Sequence, residues 1–134
     1  MIAKILLTVC ALIYGLAVPI LEVNTTHVFN PHWPAHARLH EVWQLITNSG
    51  LAVYTLWLTW RKKDIRTSVA IGLFVTVGFM ISFLIRDFYG GSMVHPDGSE
   101  KTLLGMNIGV LGFLIADALL LIAYFLSRKS SGPA

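Results

Sequence analysis

His36 and His40 stand four residues apart, so on a helix their two imidazoles share one face. Glu41 follows directly. Such a set can work as a general acid and base beside a stabilising carboxylate. It can also supply two ligands to a divalent metal, or one axial ligand to a haem. A third metal ligand could come from His32, His27, Glu22 or His95. The zinc-helix motif H-E-x-x-H is absent, because the Glu follows the second His instead of the first. No C-x-x-C-H run occurs, so any haem would be held non-covalently. All five histidines lie between His27 and His40 or at His95, and five of the seven acids (Glu22, Glu41, Asp87, Asp97, Glu100) lie in or near the same two stretches.

The elements that must position these groups are apolar. The chain of 134 residues is 55% hydrophobic and 13% charged, and its mean hydropathy is +0.69. Soluble domains carry about a quarter charged residues, so this composition belongs to a membrane. Ten Lys and Arg set between apolar runs form no basic stripe, which excludes nucleic acid as a partner. Cys10 is the single cysteine, so no intrachain disulfide forms.

Four stretches are long enough to cross a bilayer as helices, about 5–20, 39–60, 68–85 and 103–126. The first is expected to break near its end at Pro19. It reads as a retained span and not a signal peptide, since Tyr14-Gly15-Leu16-Ala17 is a poor cleavage site and the chain begins at Met1. The run Arg61-Lys62-Lys63-Asp64-Ile65-Arg66 and the tail residues Arg128 and Lys129 are cytoplasmic by the positive-inside rule, as is Lys4. The expected fold is therefore an all-α, integral membrane four-helix bundle. It is a single domain over 1–134, with both termini cytoplasmic and the His-rich side periplasmic or otherwise extracytoplasmic. Four helices bury little surface alone, so a homo-oligomer is expected.

At 100° per residue, His36, His40, Glu41, Gln44, Thr47, Asn48, Thr55 and Thr59 fall within roughly 140° of arc on the second span. This arc is expected to point into the bundle as a polar pocket opening outward, with Leu39, Val42, Ile46, Val53, Trp57 and Trp60 on the other side. The alternative for His36, Arg38, His40 and Glu41 is a hydrated interfacial cluster. Gln44 and Asn48 lie deeper and are equally explained by interhelical hydrogen bonds. The fourth span adds Asn107 and Asp117, the latter near mid-bilayer, where it either handles protons or makes a structural hydrogen bond. Trp43 and Tyr54 are expected to line the same site. Gly105, Gly109, Gly112 and Ala116, like Ser68, Gly72 and Thr76, read as packing seams. After the third span, Arg86, Asp87, Tyr89 and His95 belong to a loop that could fold over the pocket as a lid, with turns at Phe88-Tyr89-Gly90-Gly91 and His95-Pro96-Asp97-Gly98.

The segment from Asn24 to His40 reads N-T-T-H-V-F-N-P-H-W-P-A-H-A-R-L-H. It resembles an uncharacterised family of small four-span proteins with the pattern N-x-T-H-x-F-N-P-x-W-P-x-H-A-R-x-H before the second span. Ala37-Arg38-Leu39-His40 is also similar to the A-R-x-H segment of styrene oxide isomerases, small four-span enzymes with non-covalent haem. That resemblance implies His40 as the haem ligand. The chain is shorter than those enzymes and matches them in that segment alone. His36, His40 and Glu41 resemble, with different spacing, the His and Glu of emopamil-binding-type sterol isomerases. Both resemblances imply isomerisation of a lipophilic molecule.

The expected activity is accordingly that of a membrane-embedded isomerase or cyclase acting on a small lipophilic substrate that enters from the surrounding lipids. His36, His40 and Glu41 would be catalytic, and Gln44, Asn48, Asn107, Asp117, Tyr54 and Trp43 would form the pocket. His40 and His36 would be the ligands if a haem or divalent metal is bound. The other readings are a non-catalytic haem-, metal- or lipid-binding subunit and, third, a small transporter.

Overall fold

A computed structural model describes residues 1–95 and 98–129. Among the described residues the chain forms four long helices: α1 (Ile2–Glu22), α2 (Ala35–Trp57), α3 (Ile65–Leu84) and α4 (Ile108–Lys129). Among the described residues, three of them, α1, α3 and α4, are long and apolar enough to cross a membrane. They make the chain a membrane protein. α2 is as long but carries His36, Arg38, His40 and Glu41 in its first two turns.

Pro19 does not end α1. It has no N–H to offer the carbonyl of Gly15 four residues earlier. The helix instead runs on through a π turn at Ile13–Ala17, and the Gly15 carbonyl accepts a hydrogen bond from Ser49 Oγ of α2 at 2.9 Å. A neighbouring helix thus satisfies the backbone group that proline orphans. The close approach needs glycine: a Cβ on Gly15 would lie 2.1 Å from the Cβ of Ala52.

α2 also leaves through a π turn, Leu58–Lys62, and Lys63 at φ 58° turns the chain left-handed. Asp64 then caps α3 by accepting from the Thr67 N–H at 3.1 Å. Successive helices pack on one another, and α4 closes back on α1. Leu7, Cys10, Val69, Ala116, Leu120 and Ala123 form one core cluster, and Ala11, Tyr14, Ala52 and Phe113 a second. Ser68, Gly72 and Thr76 are all buried, as a packing seam requires; a Cβ on Gly72 would press on Leu120 at 2.8 Å. Hydroxyls bridge the helices: Tyr14 to Thr55 and Thr59 to Ser68, each at 2.9 Å.

The start of the fourth helix differs from expectation. Thr102–Leu103 and Met106–Asn107 form a two-stranded antiparallel hairpin, with Leu104 and Gly105 at positive φ in its two-residue turn. The fold is therefore helical with a small sheet, and α4 begins at Ile108. Gly105 belongs to that turn and not to a helix ridge.

The antiparallel order gathers cations at one end. Lys4 lies over the Trp60 ring at 5.3 Å and Lys62 over Trp57 at 5.0 Å, while Trp60 Nε1 donates to Thr8 at 2.9 Å. The histidines and Glu22, Glu41 and Glu100 are at the opposite end.

Candidate functional site

The loop after α1 is organised by one side chain. Asn24 Oδ1 accepts from the Thr26 N–H at 2.6 Å, the His27 N–H at 3.2 Å and the Thr26 hydroxyl at 2.7 Å. Its amide donates to the Leu21 carbonyl. This is the Asx turn that Asn favours. Asn30, buried, fastens the next turn by donating to the Thr26 carbonyl and accepting from the His32 N–H, each at 2.9 Å.

These bonds fix the state of His27. Thr26 Oγ1 lies 2.8 Å from His27 Nδ1. Its single hydrogen is committed to Asn24 Oδ1, which can only accept. The hydroxyl must therefore accept from His27, and Nδ1 carries the hydrogen. The other ring nitrogen, Nε2, lies 2.8 Å from Glu22 Oε2, with both side chains about one-quarter exposed. Burial, followed by the nearby His95 and Lys101, holds the imidazole below its usual pKa and so favours the neutral ring. With Nδ1 protonated and the ring neutral, Nε2 is an acceptor, and a hydrogen bond across that gap would take its proton from the Glu22 carboxyl. His95 packs edge-on to His27 at 5.2 Å between ring centroids, and Trp33 does so at 5.7 Å. Glu41 and Lys101 are close enough to act on Glu22 electrostatically.

The polar arc of α2 is split. Taking His36 as 0° and stepping about 100° per residue, Glu41, Leu45, Asn48, Ala52, Thr55 and Thr59 cluster near 140°. These are buried or half-buried against the bundle. His36, His40 and Thr47 lie near 0° and are exposed, and Gln44 at about 80° is exposed too. The inward-facing pocket expected from the sequence is therefore not formed by the histidines. An arc of roughly 140° is wider than the strip that α1 and α3 can cover. His36 Nε2 and His40 Nε2 are 3.0 Å apart. A shallow groove of about 310 Å³ is lined by His40, Trp43, Gln44, Thr47 and Asn48.

The remaining residues are dispersed. Asn107 stands at the end of the hairpin, where its Oδ1 accepts from the Gly109 N–H at 2.8 Å and its amide donates to Glu100 at 3.1 Å. It caps α4, as Asn before a helix favours. Asp117 accepts from the Thr76 hydroxyl, a bond joining α4 to α3. Tyr54 is exposed and stacks on Trp57 at 5.6 Å. Of the loop residues, His95 reaches the site. Tyr89 turns back to donate to the Ser82 carbonyl at 2.9 Å, and Arg86 donates to the Phe83 carbonyl at 2.9 Å, with Asp87 3.8 Å from its Nε. Pro96 and Asp97 of the expected turn lie outside the described residues. Among the described residues no three His, Cys, Asp or Glu side chains converge to hold a metal ion.

Sequence spacing singles out His36, His40 and Glu41 and does not pair Glu22 with His27. The available signal was the N-x-T-H turn itself, since an Asx turn delivers the following His back toward the helix it has just left.

Residues 6–129 match a family of unknown function, DUF6640, and the chain belongs to that family. No curated protein and no solved structure matches it.

Proposed function

We propose that this DUF6640 member is a membrane-embedded acid–base enzyme that shifts a proton on a small lipophilic substrate, as an isomerase or cyclase does. The observation that carries this reading is the Glu22–His27 bond, with the far side of the imidazole pinned by Thr26. Glu22 donates its proton to one atom of the substrate, and His27 Nε2 takes a proton from another. The pair is then a carboxylate beside an imidazolium, and passing the proton from Nε2 back to Oε2 restores it. No external proton or redox partner is consumed. A fixed donor and acceptor of this kind contribute roughly 10²–10⁴-fold each to a proton-transfer step.

Several features support a lipophilic substrate. Ile20, Leu21, Val23 and Phe29 flank the pair, and all are more than half exposed. The pair sits where α1 leaves the apolar core, within reach of a molecule dissolved in the bilayer. In this reading α2 is a fourth span, the basic ends of the helices are cytoplasmic and the Glu22–His27 end is extracytoplasmic. Thr55 and Thr59, the polar groups deeper along α2, are buried and hydrogen-bonded to Tyr14 and Ser68, which favours an enzyme over a transporter.

The test is to incubate the purified protein in D₂O with lipophilic alkenes, epoxides and enolisable ketones and follow isomer formation and deuterium uptake by mass spectrometry. Turnover that disappears in Glu22→Gln and His27→Asn supports the proposal. Turnover that persists in both variants contradicts it.

A further inference from the structure

The outward face of α2 has no place in the acid–base reading, and its pattern is specific. His36, His40, Trp43, Thr47, Gly50 and Tyr54 are all exposed, and they recur at alternating steps of four and three. That is the 3.5-residue period of a helix seam that meets another helix. At bilayer depth, lipid offers Thr47 and the adjoining Gln44 no hydrogen-bond partner, whereas a second helix does. Gly50 lies mid-seam, and a Cβ there would meet nothing within 4 Å of its own chain. Its smallness serves no contact inside the subunit, but it permits close approach from outside.

The outer end of the seam carries an incomplete ligand set. His36 Nε2 and His40 Nε2 are 3.0 Å apart, with the rings at 85° to each other. Two imidazoles bound tetrahedrally to one zinc ion stand about 3.3 Å apart, so a small rotation opens the pair around a metal. Zinc sites use three or four protein ligands. Within one chain no third His, Cys, Asp or Glu joins the pair among the described residues.

We propose that two copies of this chain pair along the α2 seam and that His36 and His40 of each bind a single divalent ion of the zinc type between them. Copies inserted in the same direction relate by a two-fold axis along the membrane normal, which sets the seams parallel and at equal depth. The four imidazoles then meet at one point, and the shallow groove beside His40 is closed by the second copy. Neither His36 nor His40 belongs to the Glu22–His27 pair, so the inference stands apart from the proposed activity.

The experiment uses the full-length protein in detergent or lipid nanodiscs, freed of metal and titrated with zinc chloride, and read by native mass spectrometry with metal analysis. One zinc per two chains is expected. His40→Ala should lose the zinc, and Gly50→Leu, whose Cβ meets nothing within 4 Å of its own chain, should return the protein to monomers without zinc at the same concentration. Cobalt in place of zinc should give the intense visible absorption of a tetrahedral site. One zinc per monomer, zinc retained in His40→Ala, or a protein that stays monomeric with zinc present would each overturn the proposal.

Discussion

The contact of α1 with α2 at Gly15 offers a sharp test of how the bundle is held. In Gly15→Ala the new Cβ would stand 2.1 Å from that of Ala52, about 1.3 Å short of an ordinary contact. Both atoms sit on helix backbone, so no side-chain rotation relieves the clash and the helices must separate. A shift of that size stretches the Ser49–Gly15 hydrogen bond from 2.9 Å beyond bonding range. Overpacking costs about 1–3 kcal/mol, and an interhelical hydrogen bond in a membrane protein contributes about 0.6–1.7 kcal/mol. The variant should lose about 2–5 kcal/mol, measured by unfolding in mixed detergent–SDS micelles followed by circular dichroism. Ala52→Gly removes the opposing methyl and should cost about 1 kcal/mol alone. Combined with Gly15→Ala it should recover much of the loss, giving a coupling of at least about 1 kcal/mol. A Gly15→Ala protein within about 0.5 kcal/mol of the parent, or two losses that simply add, would refute the reasoning.

Further predictions concern single groups. The fold holds His27 below its ordinary pKa of 6.5 and so favours the neutral ring. Its contribution to stability is full above that value and is lost as the pH falls through the lower native one, so unfolding curves at falling pH should show a loss that His27→Asn removes. Thr76→Val leaves the Asp117 carboxyl without its hydroxyl donor and should cost about 1–3 kcal/mol by the same unfolding assay, whereas Asp117→Asn, which can still bond Thr76, should cost under about 1 kcal/mol. Tyr14→Phe loses the bond to Thr55 inside the core and should cost about 0.6–1.7 kcal/mol with the fold retained.

The sequence discloses the membrane class, the helical runs and the segregation of charge, because each follows from hydropathy summed over many residues. It discloses less where one hydrogen bond decides. Pro19 reads as a break, yet Ser49 from another helix accommodates it. Asn107 reads as a polar residue in a span, yet a positive-φ turn at Leu104 and Gly105 makes it a cap. The polar arc of α2 was legible as a pattern, but which half faces the bundle depends on where α1 and α3 sit. Glu22 and His27 are on no common helix face, since the chain turns between them. Their pairing is a property of the Asn24 turn and could not be found by periodicity.

The central claim is that His27 shares one proton with Glu22 through Nε2 while Nδ1–H is held by Thr26. Nitrogen-15 NMR of histidine-labelled protein near neutral pH, with His27 assigned by its Asn variant, reads the two ring nitrogens directly. The account predicts a protonated Nδ1 in the parent and a mixture of tautomers in Thr26→Val. A bare Nδ1 in the parent, with the hydrogen resident on Nε2, would contradict it.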